Sequence, residues 1–360
     1  MSQTKVAAPF VENNANFRNL FINGDMNISQ RGTSASSVTA SQYLCDRWEY
    51  ETIGEETVTI SQVADAPDNS GLNKSFKVEV TTADSDVIAS DYAVIKQVIE
   101  AQNLQHLEYG TSDAKKITIS FQVKSSVTGT YAVGLEHGET ASYQSQTYSI
   151  SSANTWEKKT LTFVGNTATA INNDNGGGLH VNFFLTAGTS YTTGSNGAWG
   201  AATNWAANHA ANIIGTVNST FFITGVQVEV GDQATDFEHL PHDVQLARCK
   251  RYFENYELES GSALFGLSFN ANDATCRLEY KITKRLAPTI GGLTAAQSGT
   301  GMSFLTNAGS YSSSAGSLAS HSISIDGCRI NGSSQGNLDN PGSTMLYATG
   351  DNTITIDAEF

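Results

Sequence analysis

Apolar and polar residues alternate along most of this chain with the two-residue period of a pleated strand. The pattern is clearest at Phe222, Thr224, Val226, Val228 and Val230, which are expected to share one face of a strand ended by Gly231-Asp232. It recurs at Phe76, Val78 and Val80, from Ile117 to Val123, and at Tyr131, Val133 and Leu135. Leu161 and Phe163 repeat it, as do Leu179, Val181, Phe183 and Leu185. Turn formers such as Thr128-Gly129-Thr130 and the run from Asn172 to Gly178 separate these segments. About eight or more short strands with polar turns predict an antiparallel sandwich of two sheets over residues 19–240.

After Pro241 the period changes. Asp243 can cap a helix, and Leu246, Cys249, Phe253 and Tyr256 then recur at the spacing of one apolar helical stripe. A linking helix within 241–260 follows, either docked under a sandwich or burying Phe253 and Tyr256 against other copies around a threefold axis. Beyond it, Leu264, Gly266 and Ser268 alternate with Phe265, Leu267 and Phe269, and Cys276, Leu278, Tyr280 and Ile282 continue the pattern. Ile323 with Ile325, and Ile354 with Ile356, predict closing strands of a second, smaller β-sandwich over 261–360. Ser298 to Ser320, rich in Gly, Ser and Ala, suits loops or tightly packed strands. The fold class is all-β.

Composition supports strands and turns over long helices. Charged residues are 15% of the 360 against a usual figure of about 25%, and Ser, Thr, Asn, Gln and Gly supply the polarity. A net charge of −15 argues against nucleic-acid binding and against docking on anionic membranes. No stretch approaches the roughly 20 apolar residues of a membrane span, and the N-terminus lacks the pattern of a secretory signal. Cys45, Cys249, Cys276 and Cys328 show neither metal spacing nor disulfide-scaffold density, so free buried thiols are expected. Residues 1–18 carry little apolar content and no period, and are read as an attachment arm held by another protein or by neighbouring copies.

Several motifs carry a family resemblance. The string VQVEVG at 226–231, then Ala234-Thr235, Phe237-Glu238, Pro241, Cys249 and Arg251-Tyr252-Phe253, resembles a family of tailed-bacteriophage virion proteins, tail fibres or fibre-like structural proteins. Asn19-Leu20-Phe21-Ile22-Asn23-Gly24-Asp25 with Gln30-Arg31-Gly32 looks like the opening of these proteins and, more loosely, of jelly-roll carbohydrate-binding modules. Asp46-Arg47-Trp48, Gln97 to Glu100, Lys116 to Phe121 and Thr155 to Lys159 match further family segments, although Gln122 stands where an aromatic is common. Arg285 to Thr289 and the ending Thr355 to Phe360 match more thinly. The resemblance implies a jelly roll within a virion, assembled in host cytoplasm and acting extracellularly. It implies partnership with other virion proteins through the arm, a homotrimer, and a host surface glycan as target.

The insert from Ala187 to Gly215 carries Tyr191, Trp199 and Trp205 among small polar residues. Sugar rings stack on flat aromatics, so these three are candidate carbohydrate-binding residues; equally, they can plug an open end of the sandwich or pack against a neighbouring subunit. No cofactor is expected apart from a structural calcium, which the sugar-binding modules often hold. Asp25 suits that role, whereas Asn27 replaces a common Glu. Asp84, Asp86 and Asp91 read as solvated turn carboxylates. His239 and His242, with Asp236 and Asp243 nearby, hint at zinc, but Pro241 prevents a helical ligand pair. No catalytic motif is present, although carboxylates such as Glu136, Glu139 and Glu157 could pair in space as glycan-cleaving enzymes require. The expected function is a non-enzymatic phage fibre or adhesin, with a head fibre or capsid decoration protein, or a polysaccharide depolymerase, as alternatives.

Overall fold

A computed structural model describes residues 17–270, 272–293, 301–306, 317–333, 338, 342–348 and 350–360. The expected attachment arm lies, but for its last two residues, outside the described residues, as does much of Ser298–Ser320. The chain divides into two compact units. The first holds most of residues up to Leu240. The second holds Pro241–Phe360 together with two short N-terminal segments, Ile28–Gly32 and Cys45–Arg47.

Twelve strands build the first unit: β1 Ser34–Val38, β2 Gln42–Tyr43, β3 Glu49–Ile53, β4 Thr57–Val63, β5 Ser75–Thr82, β6 Tyr92–Glu100, β7 Ile117–Ser125, β8 Gly129–His137, β9 Tyr143–Ile150, β10 Glu157–Phe163, β11 Gly177–Ala187 and β12 Thr220–Val230. They form two antiparallel six-stranded sheets, ordered β1-β4-β5-β12-β7-β10 and β2-β3-β6-β11-β8-β9, a jelly-roll sandwich. Phe76, Val78, Ile119, Phe121 and Ile223 from one sheet and Tyr50, Ile95, Val181, Phe183 and Tyr131 from the other are buried. Rings bridge the layers edge to face, with Phe121 5.1 Å from both Phe183 and Tyr148.

One β-bulge corrects the expected pattern of β12. Its pairing with β7 shifts between Thr224 and Gln227, where Gly225 adopts a φ of 59°. The extra residue reverses the alternation. Thr224 and Phe222 therefore pair beside Gln122 and Lys124 on the outer face, while Val228 pairs beside Ile119 in the core. The N-terminal segment takes over as neighbour past the bulge. Asn19 is the clip: its Nδ2 donates to Val226 O (3.1 Å), and its Oδ1 accepts from the N–H groups of Val228 and Phe21 (3.0 Å each). Gly24 lies so close that a Cβ there would sit 2.1 Å from Val226 O. The Asn-to-Gly spacing of that opening motif is thus a backbone clamp on β12.

Among its described residues the second unit contains α2 (His242–Lys250; the single turn Thr189–Thr192 of the first unit is α1) and nine strands: β13 Phe253–Leu258, β14 Ala263–Ser268, β15 Ala274–Glu279, β16 Thr289–Gly291, β17 Met302–Thr306, β18 Ser317–His321, β19 Gly327–Ser333, β20 Gly342–Ala348 and β21 Asn352–Asp357. A three-stranded sheet, β13-β21-β16, accompanies a six-stranded one, β17-β20-β14-β15-β19-β18. Leu258, Cys276, Leu278, Phe304, Ile330, Leu346, Ile354 and Ile356 share one core.

The helical stripe is corrected here. α2 ends at Lys250, and Phe253 and Tyr256 lie on β13, paired residue for residue with β21 from Phe253↔Asp357 to Leu258↔Asn352. Helix there would leave β21 without that neighbour. The helix buries Gln245 and Cys249 and leaves Leu246 half-buried. Ile323 and Ile325 are not on a strand; they occupy the turn between β18 and β19 and are 37% and 43% exposed.

Arginines from the two N-terminal segments complete the second unit. Arg47 is 2% exposed, ion-paired to Glu359 and stacked 3.6 Å over the Tyr252 ring. Arg31 pairs with Asp357 (3.1 Å) and lies 3.5 Å over Phe253. Lys284 and Glu254 form an ion pair of 2.6 Å with both side chains fully buried, and burial lowers the lysine's pKa.

Two substitutions test these interactions by chemical denaturation. Asn19→Ala removes three hydrogen bonds at a buried site and is expected to cost about 2–4 kcal/mol. Lys284→Met strands a buried carboxylate and is expected to cost about 3–5 kcal/mol, most of which the double variant with Glu254→Leu recovers.

Candidate functional site

β11 is apolar on both faces. Phe183 faces the core, while its neighbour Phe184 faces outward with Tyr92 and Val94 of β6 and Ala132 of β8. Exposed, that patch would keep several hundred Å² of apolar surface in water. The segment 188–211 covers it. Trp205 lies 5.0 Å from both Phe184 and Tyr92, 5.3 Å from Tyr191 and 5.8 Å from Tyr143. Gly134 lies beneath, where a Cβ would fall 2.1 Å from Trp205 O. Backbone bonds pin the cover to β9: Tyr143 and Gly200 exchange two of 2.8 Å, and Gly197 N donates to Ser145 O.

The expected sugar platform therefore does not assemble as three side-by-side rings. Trp205 is only 7% exposed and belongs to this cover. Tyr191 packs with it and donates its hydroxyl to Ser90 O (3.2 Å). Trp199 stands apart, donating to Val164 O (2.9 Å) with its edge toward Tyr109 and His137. Trp205 packs on the outer face of the β11 sheet, not in an open end of the sandwich.

Beyond Trp205 the same face is left open and turns polar. Register aligns Glu49, Lys96, Asn182, Gly134 and Ser145 across β3, β6, β11, β8 and β9. The next row carries His180, Glu136 and Tyr143. Lys96 pairs with Glu49 (3.3 Å) and Glu51, and Tyr92 donates its hydroxyl to Glu51. The side chains of Glu49, Glu51, Lys96, Glu136 and His180 are 12–29% exposed, half sunk in the sheet, whereas Asn182 and Ser145 are buried. Burial opposes the Lys96 charge, but Glu49 and Glu51 outweigh it and raise its pKa. Two carboxylates share that one ammonium, and burial leaves Glu49 raised. Burial likewise raises Glu136. Burial, with Lys96 nearby, pushes His180 down to about 4, so at neutral pH its contact with Glu136 (3.6 Å) is not an ion pair.

Of the three carboxylates singled out from sequence, only Glu136 lies on this face. Glu139 accepts from Asn172 and Glu157 accepts from Ser151 and Ser152. Asp84 and Asp91 are corrected: they are 4% and 6% exposed and accept backbone N–H bonds, Asp84 from Glu55 and Asp86, Asp91 from Ile88. Asp25 accepts a hydrogen bond from Asn27 (2.6 Å). Among the described residues no group of three or more His, Cys, Asp or Glu is placed to hold a metal. Sequence reading missed Glu49, Glu51, Lys96, His180 and Asn182. Each alternates with a core residue on its own strand, but only the strand order brings them into rows.

The cover contains a buried histidine with a fixed tautomer. His209 Nδ1 accepts from Ala132 N–H (3.1 Å) and Nε2 donates to Ala211 O (2.8 Å). Burial pushes its pKa down to about 4. The unfolded chain takes up that proton near pH 6.5, so stability carried by His209 is full above that pH and falls on acidification toward 4. His209→Ala is expected to cost about 3 kcal/mol at pH 7. Its penalty should shrink toward pH 4, read as the difference between wild-type and variant denaturation midpoints.

No family model and no curated protein sequence matches this chain. Among solved structures, a crystal structure of the enzymatically active domain of Bacteriophage CBA120 tailspike protein 4 is similar at 16% identity and a TM-score of 0.32. The match covers 54% of this chain but 21% of the tailspike chain. A structure titled for CBM4 (15% identity, TM-score 0.30) is covered over 97% of its length by 58% of this chain. A putative sugar binding protein from Bacteroides thetaiotaomicron (11% identity, TM-score 0.32) is covered over 99% by 59% of this chain.

Proposed function

We propose that the protein binds a glycan, without cleaving it, on the open half of the face formed by β3, β6, β11, β8 and β9. The observation that carries this is the juxtaposition of polar rows with an aromatic ledge. Lys96, Glu49, Glu136 and His180 offer donors and acceptors to sugar hydroxyls, and the half-buried edges of Tyr143 and Tyr191 offer apolar surface to ring C–H groups. A sheet face is shallow and accepts a chain laid across the strands. The role fits a fibre-like adhesin of a tailed-phage particle, a reading supported by the opening and bridge motifs. Copies assembled as a trimer, attached to other virion proteins through the arm of residues 1–18, would then gain avidity from weak individual sites. A head fibre would share the same chemistry at a different place on the particle.

One observation favours a second reading. Hydrolysis of a glycosidic bond uses a protonated carboxyl opposite an ionised one, and Glu136 is raised while Glu51 lies within electrostatic reach of it. Lys96 and Tyr92 hold Glu51 in place, which suits binding better than a nucleophile's work.

The readings separate in one assay on purified host polysaccharide. Binding is expected without release of reducing ends, and Lys96→Ala with His180→Ala is expected to weaken it at least about tenfold. Sustained release of reducing ends that Glu136→Gln abolishes would establish the depolymerase instead. Unchanged binding by the double variant would remove this face from consideration.

A further inference from the structure

The opposite sheet carries a cavity of about 370 Å³ on its outer face, in the size range of small-ligand sites. Its floor is Ser120 and Gln122 of β7 beside Gly225, the residue at the bulge of β12. One wall is the turn Asn69 to Leu72, and the other is the return from Thr235 to His239. The bulge shapes the hollow. With Gly225 at a φ of 59°, Leu72 packs where a side chain would otherwise stand, its Cδ1 2.7 Å from an ideal Cβ.

The polar side chains around this hollow are free to meet a ligand. Asn69, Ser120, Gln122, Lys158, Asp236 and His239 line it, and among the described residues none makes a side-chain hydrogen bond. Ser120, at the floor, is 4% exposed, while Asn69, Lys158, Asp236 and His239 are open to solvent. The Phe237 ring, edge to face with His239 at 5.0 Å, adds a flat apolar wall.

We propose that this cavity is a second binding site, for a single sugar residue. The mixture decides the class. Asp236 repels an anion and Lys158 a cation, and one carboxylate is too few for a hard metal ion. An apolar ligand would strip water from six polar side chains with nothing in return. A hydroxylated ring satisfies them: hydroxyls donate to Asp236 and accept from Lys158, exchange both ways with the amides, the imidazole and Ser120, and set a C–H face against Phe237. The site shares no residue with the polar rows of the β11 sheet and stands whether or not those rows bind a glycan.

Saturation-transfer NMR on the intact chain tests this with D-glucose, D-galactose, D-mannose, N-acetyl-D-glucosamine and L-rhamnose as probes. At least one is expected to bind in the millimolar range and to weaken about tenfold in Asp236→Ala and in Gln122→Ala. Both positions lie at the surface or half-buried, and circular dichroism reports whether each variant remains folded. The proposal is overturned if none of the five transfers saturation, if Asp236→Ala and Gln122→Ala bind unchanged, or if Lys96→Ala alone abolishes the signal.

Discussion

A strand with apolar side chains on both faces must be covered twice, and β11 imposes that requirement on the first unit. Phe183 is covered by the opposite sheet, as in any sandwich. Phe184 needs a second lid, and the chain supplies Trp205 from the 188–211 segment. This burial of large rings is worth several kcal/mol, enough to fix an otherwise irregular segment. It also decides where the protein can touch anything else. The lid takes the apolar half of the outer face and leaves the half bearing Lys96, Glu136 and His180 to solvent.

The same economy of edges appears at β12. A bulge interrupts it, and the clip at Asn19 repairs the interruption by lending backbone and amide partners to Val226 and Val228. The bulge then has two effects at once: it keeps Val228 in the core after an odd step, and it hollows the outer surface beside Gly225. Core packing and the shape of the outer cavity are coupled through one glycine.

Strands were legible from sequence because alternation is local. Ile117 to Val123 and Leu179 to Leu185 needed no knowledge of their neighbours. The stripe from Leu246 to Tyr256 misled because β13 follows three residues after α2, and Phe253 and Tyr256 satisfy a helical spacing while belonging to a strand. The tryptophans of the insert were conspicuous, yet composition cannot say whether a ring lies on a platform or beneath it. The charged rows were invisible for a different reason. Glu49, Lys96, Glu136 and His180 come from four strands whose neighbourhood is set by the order β3-β6-β11-β8, and no short window of sequence encodes that order.

The borrowed segments of the second unit bear on how the polypeptide is made. Arg31 and Arg47 leave the ribosome some three hundred residues before Asp357 and Glu359, their counter-ions. Until synthesis nears position 359, two guanidinium groups destined for burial remain hydrated and uncommitted. A product that stops short of these carboxylates would keep both arginines without their counter-ions beside an unfinished sheet.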